Sequence, residues 1–327
     1  MSNSLPPIAL PKVFEDPGLV RRLVEANGPY YPVQRYFKND AQYRANTGHA
    51  RMMIAPNFRG DWAYEAPQID GVEPLLFHEG FRDAARQIFG TELVRPLQVY
   101  ANLTWQLPFA QGPGHTDVPA FRGVDRTEYP TQLLSVMGRS RLFEEHRVRI
   151  ATAVAWFYEG EDGGFEYWPE GPDEPSQIHE GAIFNTAIVG DNDFMYHRVR
   201  PVGRRDDGLP GPMTLDTRLE RIDAERWQLV EGDRVLGSPQ YEDLRISVSW
   251  KANVFADAAE ERVYDDHSDD LTIDEVWERF YRDLSVRGEA FDEPGDPLHD
   301  EPFTELMGRV YIQAPELSRG GASRAGE

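Results

Sequence analysis

The chain has 327 residues, 40% hydrophobic and 28% charged, a globular composition long enough to bury a substantial core as one large domain or two ordinary ones. Its formal charge of -22 opposes both nucleic-acid binding and attachment to anionic membrane surfaces, and no apolar run reaches the roughly 18 residues of a membrane span, so neither kind of partner is expected. The absence of cysteine excludes disulfides, thiolate nucleophiles, iron–sulfur clusters and cysteine-built zinc sites, so any metal must be held by imidazole and oxygen.

The opening MSNSLPPIALPKVFEDPG has neither a basic start nor an unbroken apolar stretch, which argues against a secretory signal and for the cytoplasm. Asp16-Pro17 begins a helix carrying Leu19, Val20, Leu23 and Val24 on one side, and Asn27-Gly28 ends it. Residues 29–72 read as irregular and, with the later segment 203–240, could build an enclosed pocket suited to a small molecule. A second helix is predicted over 79–89, with Phe81, Ala84, Ala85, Ile88 and Phe89 as its stripe and Gly90 as its stop.

From residue 92 the texture changes to short segments rich in β-branched and aromatic residues, separated by Gly, Pro or Asp: LVRPLQVYANLTW, VRIATAVAWFYEG, GGFEYWP, GAIFNTAIVG, DFMYHRVRPV and LRISVSWKANVF. This spacing predicts a mainly β fold with flanking helices, a double sheet or jelly roll with a core over about 92–255. A more helical stretch interrupts it between Thr131 and Arg147. Residues 203–240, a loop beginning RRDDGLPGP followed by its own hairpin, read as an insertion that would form a pocket wall or lid.

The remainder, 256–327, is an acidic helical extension: residues 256–305 carry 18 Asp or Glu against 4 Arg. Within it Thr272 and Glu275 form a capping box, and Ile273, Val276, Trp277, Phe280 and Leu284 mark a face that packs on the body. The closing GASRAGE is expected to be disordered. No repeat and no long linker divides the chain, so a single domain over 1–327 is the economical organisation.

Eight histidines make their placement informative. His115 and Asp117 follow a predicted strand in GPGHTDVP, and on extended chain they share a face. His197, on the strand DFMYHRVRPV, supplies a second imidazole. Two His and one carboxylate leave three positions open on an octahedral ion, as in non-haem Fe(II) oxygenases, although zinc with water would use the same side chains. Arg245 and Ser247 alternate with Leu244, Ile246 and Val248, so both polar side chains point one way and could hold a carboxylate, such as the remote end of a chelating 2-oxo acid. Gln98, Tyr100 and Asn102 alternate on the strand leading to His115 and are candidate cosubstrate contacts, or else loop anchors. Trp156, Phe157, Tyr158 and Trp168 read as core or wall. Arg122, Arg126, Arg139 and Arg141 are candidates for greeting an anionic group, or ordinary surface arginines.

In order and placement these residues resemble the iron(II)/2-oxoglutarate-dependent oxygenase superfamily, with its His-x-Asp, distal His and Arg-x-Ser. The His-to-His interval of 82 is similar to that of its phytanoyl-CoA hydroxylase-like and prolyl-hydroxylase-like groups. The resemblance covers roughly residues 92–255. It implies a double-stranded β-helix (jelly roll, cupin-like) core, Fe(II) on His115, Asp117 and His197, 2-oxoglutarate and O2 as cosubstrates, and hydroxylation of an unactivated C–H bond in a small molecule. The carboxylate of Asp117 stands where halogenases of the superfamily keep a small residue, which points to oxygenation. The pattern departs in the 48 residues between His197 and Arg245, which the insertion at 203–240 explains, and Arg200 or Arg204 remain nearer alternatives to Arg245. Two other readings stay open: a cupin-like metalloenzyme using the triad without 2-oxoglutarate, and a double-sheet binding protein with structural histidines.

Overall fold

A computed structural model describes residues 4–37, 43, 53–110, 114–160, 162–203 and 208–312. Arg204, the adjoining part of the RRDDGLPGP loop and the terminal GASRAGE lie outside the described residues. The described chain is strand-rich with flanking helices, built around antiparallel sheets compatible with a jelly roll.

The long segments predicted as strands form one nine-stranded sheet. β1 (Ile8–Leu10), β2 (Tyr31–Pro32), β3 (Asn57–Tyr64), β4 (Ala66–Pro67), β5 (Val94–Thr104), β6 (Ala120–Phe121), β7 (Arg147–Trp156), β10 (Thr186–Gly190) and β15 (Arg245–Val254) belong to it, with the path β1-β10-β7-β15-β5-β3-β2. A second sheet, of order β11-β8-β9, holds β8 (Phe165–Trp168), β9 (Gln177–His179) and β11 (Tyr196–Val199). The chain passes from β7 in the first sheet to β8 and β9 in the second, back to β10, out to β11 and home to β15. A short bridge between His115 and His197 adds the His115 segment to the second sheet beside β11.

The large sheet has one apolar face. On it Val99, Ala101 and Leu103 of β5, the alanines 151, 153 and 155 of β7, and Ile246, Val248 and Trp250 of β15 form the main core. Helices Gly18–Ala26, Glu73–Leu76 and Glu79–Phe89 cover it. The Gly18–Ala26 helix opens one residue later than its sequence predicts, with Pro17 rather than Asp16 at the cap position, although Asp16 Oδ1 still accepts from the Gly18 amide. The predicted second helix ends at Gly90, whose φ of 66° is the left-handed conformation that favours glycine.

A separate core joins helix Thr131–Ser140 to the two C-terminal helices Ile273–Arg287 and Glu301–Tyr311 through Leu134, Met137, Phe143, Phe280 and Met307. The predicted capping box at Thr272 and Glu275 is formed, and Val276, Phe280 and Leu284 are buried. No described helix is long and apolar enough to cross a membrane.

The described part of the insertion, 208–240, behaves differently from its prediction as a pocket wall. β12 (Arg218–Arg221), β13 (Trp227–Glu231) and β14 (Arg234–Gly237) make a small sheet of their own. It is tied to the N-terminal region by a bridge between Leu219 and Tyr30. Leu219, Trp227 and Leu229 are fully buried in the main core.

Candidate metal centre and cosubstrate pocket

The opposite face of the large sheet is polar. Along β15 the alternating residues Arg245, Ser247, Ser249 and Lys251, all buried, line a cavity of about 1070 Å³ between the two sheets. Tyr100 and Asn102 of β5 and Thr152 of β7 lie on the same wall, and His115, Asp117 and His197 line it too. The N-terminal segment adds Tyr36 and Arg59, whereas no described residue between 203 and 240 reaches it.

Backbone pairing brings the two imidazoles together. The His115 amide donates to the His197 carbonyl at 3.0 Å, and the His197 amide returns the bond to His115 at 2.8 Å. A reciprocally bonded antiparallel pair sets its side chains on one face, and here the ring centroids are 4.6 Å apart. Asp117 is held two residues on by its amide donating to the Asn192 carbonyl at 2.8 Å. One ligand atom from each of His115, Asp117 and His197 lies within 4.8 Å of the other two.

The donors face one another across the cavity. His197 Nδ1 is 3.0 Å from the Met195 carbonyl and its Nε2 is 3.5 Å from Asp117 Oδ1, so the backbone contact at Nδ1 turns Nε2 toward the other two ligands. Burial, with the neighbouring His197 imidazole second, pushes the His115 imidazole down to about 3, so it is neutral at pH 7. Burial pushes the Asp117 carboxyl up, but Lys251 and His197 outweigh it and hold the group well below the usual carboxylate range.

Lys251 was not singled out in the sequence, yet its Nζ is 2.6 Å from Asp117 Oδ2 and 3.1 Å from the Thr152 hydroxyl. It occupies one carboxylate oxygen and leaves Oδ1 toward the imidazoles. The signal was available: Lys251 is one of three lysines, and the alternation that marks Arg245 and Ser247 continues through Ser249 to it.

Arg245 is 2% exposed. Its Nε donates to the Gly163 carbonyl at 2.6 Å and Nη1 to the Ser247 hydroxyl at 3.3 Å, while Nη2 is buried with no hydrogen-bond partner. A buried guanidinium with an unmet donor is costly unless an anion completes it. Arg200, the nearer alternative, instead pairs with Glu180 on the exposed surface at 2.6 Å and does not line the cavity.

The other sequence candidates separate. Tyr100 and Asn102 face the cavity, but Gln98, on the same side of β5, does not line it. Gln98 is held between Asp61 and the Arg126 guanidinium, which donates to it at 3.3 Å, so its geometry is that of an anchor between wall segments. Trp156, Tyr158 and Trp168 are buried and lie outside the cavity wall. Arg126, Arg139 and Arg141 line the cavity, whereas Arg122 is engaged with Asp269 and the Glu145 carbonyl.

No protein-family model matches the chain, and no curated protein matches it. Among solved structures it is similar to an oxidoreductase of the 2OG-Fe(II) oxygenase family from Burkholderia pseudomallei, at 15% identity and a TM-score of 0.40, over 76% of this chain and 84% of that one. A prolyl-4-hydroxylase from Pseudomonas putida is similar at 14% identity and a TM-score of 0.41, over 76% and 94%. HygX from Streptomyces hygroscopicus, solved with nickel, 2-oxoglutarate and hygromycin B bound, is similar at 11% identity and a TM-score of 0.37, over 77% and 84%.

Proposed function

We propose that the protein is an Fe(II)/2-oxoglutarate-dependent oxygenase that hydroxylates an unactivated C–H bond of a small molecule. The observation that carries this reading is the conjunction, in one cavity, of a His–Asp–His donor set and a buried arginine whose Nη2 lacks a partner. The donor set suits an octahedral ion with open positions. The orphaned donor suits the remote carboxylate of a 2-oxo acid whose keto-acid end reaches that ion. The sheet orders β10-β7-β15-β5 and β9-β8-β11, the latter extended by the His115 segment, support a double-stranded β-helix as the core.

When bound, iron would supply oxidation by O2 coupled to decarboxylation of 2-oxoglutarate to succinate, inserting one oxygen atom into the substrate. The chain's own residues do the positioning. His115, Asp117 and His197 hold the ion, Lys251 keeps Asp117 ionised and aimed, and Arg245 with Ser247 orients the cosubstrate. Tyr100 and Asn102 lie on the wall beside it. The remaining cavity has room for a small-molecule substrate.

The test is succinate release under Fe(II), 2-oxoglutarate and air, with wild type and His197→Ala side by side. Succinate formation in the wild type and its loss in a folded H197A protein that no longer retains iron is the expected result. Iron held at full stoichiometry by H197A would overturn the ligand assignment. Substrate oxidation that persists without 2-oxoglutarate would favour a cupin-like metalloenzyme instead, and absence of metal from protein prepared anaerobically would favour a binding protein.

A further inference from the structure

Among the described residues seven cationic side chains line the cavity of a chain whose net charge is -22: Arg59, Arg126, Arg139, Arg141, Arg147, Arg245 and Lys251. Most are accounted for. Arg59 pairs with Asp61, Arg147 with Glu144, and Lys251 with Asp117. Arg245 belongs to the cosubstrate under the reading above. Arg126, Arg139 and Arg141 remain, and no carboxylate among the described residues lies within ion-pair distance of any of them.

Arg139 is the one of the three that is tied to the segments carrying the donor set. Its Nη1 donates to the Tyr196 hydroxyl and its Nη2 to the Thr116 hydroxyl at 3.2 Å. Thr116 stands between the ligands His115 and Asp117, and Tyr196 immediately precedes His197. The guanidinium carbon also lies 5.0 Å from the centroid of the Tyr196 ring. It is thus a fixed, partly buried cation held by two neutral hydroxyls beside the reaction centre.

Of the other acidic residues of the same wall, Glu170 and Asp173 are exposed, Asp117 is paired with Lys251 at 2.6 Å, and the buried Asp193 lies 3.9 Å from Arg147. Hydroxyls can satisfy guanidinium N–H groups but leave the charge unbalanced, and a planar fork of this kind takes an oxyanion best.

Resting on the oxygenase reading for which molecule occupies this end of the cavity, we propose that Arg139 is the specificity anchor for an oxyanion, carboxylate or phosphate, on the prime substrate. Arg126 and Arg141 add positive potential along the cavity wall. The substrate class is then an anionic small molecule whose charged group is seated beside the metal centre.

Protein loaded with Ni(II) is titrated calorimetrically with phenyl phosphate, benzoate and benzamide, with and without saturating 2-oxoglutarate. Wild type is compared with Arg139→Gln, Arg139→Lys and the exposed-surface control Arg309→Gln. The expected result is binding of at least one anion but not of benzamide, undiminished by 2-oxoglutarate, weakened about tenfold or more in R139Q, less so in R139K, and unchanged in R309Q. Phenyl phosphate against benzoate decides which oxyanion is preferred. Equal affinity in wild type and the Arg139 variants, no discrimination against benzamide, no anion binding at all, or displacement of the anion by 2-oxoglutarate would each overturn the proposal. If R139Q fails to fold, R139K carries the comparison. Should 2-oxoglutarate itself fail to bind, the oxygenase reading falls, and the 2-oxoglutarate-free titrations still decide the Arg139 site.

Discussion

The two faces of strand β15 are made of consecutive residues and do opposite work. Ile246, Val248, Trp250, Ala252 and Val254 are buried in the main core, while Arg245, Ser247, Ser249 and Lys251 are equally buried but line the cavity. Burial alone therefore does not separate structure from function here. The difference lies in what each face meets. The apolar face meets close-packed side chains that release it from water, and the polar face meets partners that are in part missing, as at Arg245 Nη2.

Trp250→Ala tests the apolar face and should have the largest effect. Trp250 is fully buried and its indole N–H donates to the Leu76 carbonyl at 2.8 Å. Truncation opens a cavity and orphans that carbonyl, so about 3–5 kcal/mol of stability should be lost. Urea unfolding measures it. Metal and 2-oxoglutarate affinity in the folded fraction should be near normal, and a loss of cosubstrate affinity matching the loss of stability would erase the distinction between the faces.

Trp227→Ala extends the comparison to the insertion. Trp227 is fully buried in the main core, and no described residue of 203–240 lines the cavity. A stability loss of about 3–5 kcal/mol with unchanged 2-oxoglutarate affinity is expected. Unchanged stability with altered turnover would restore the lid role that the sequence suggested.

Arg245→Gln tests the polar face. It removes the charged fork from a pocket built for an anion, which should cost about 1.5–3 kcal/mol in cosubstrate binding, or roughly tenfold or more in affinity. Isothermal titration of Ni(II)-loaded protein reads it. Wild-type affinity in R245Q would move the cosubstrate away from this end of β15.

These contrasts follow what the sequence made legible. Period-two alternation placed Arg245 and Ser247 on a face opposite Ile246 and Val248, because one residue of a strand fixes the direction of the next. The triad was legible for the same reason, His115 and Asp117 being two apart and His197 lying on a strand. Two features were not. Residues 29–72 and 203–240 both read as turn-rich additions able to enclose a pocket; the first does so through Tyr36 and Arg59, whereas Leu219 and Trp227 of the second are buried in the core. Turn chemistry shapes a hairpin without saying which surface it will cover. Gln98 shares a face with Tyr100 and Asn102, but Asp61 and Arg126, distant in sequence, bind it away from the cavity. Periodicity gives direction, and only tertiary neighbours decide what a side chain in that direction meets.

The smallest expected effect concerns the polar side's dependence on pH. Asp191 is buried just before the distal histidine, and burial, opposed by Arg147 and Arg149, pushes its carboxyl up to about 7. An unfolded aspartate titrates near 3.9. The folded state therefore holds the proton longer than the unfolded state. Its contribution to stability is complete below about pH 4 and is lost as pH rises toward about 7. Asp117 has the opposite sign and a lower window, because its carboxyl is held below the usual range and protonating it costs the fold its pairing with Lys251. Between about pH 5 and pH 6 the Asp191 contribution should fall by about 1.4 kcal/mol, one pH unit's worth of proton linkage. Asp191→Asn has no proton to lose, so its urea-derived stability should decline less over that interval than that of the wild type, by about that amount. Parallel pH profiles for the two proteins would show instead that Asp191 ionises as an ordinary carboxylate, and that the interior around it, near Arg147 and Arg149, is wetter than its burial implies.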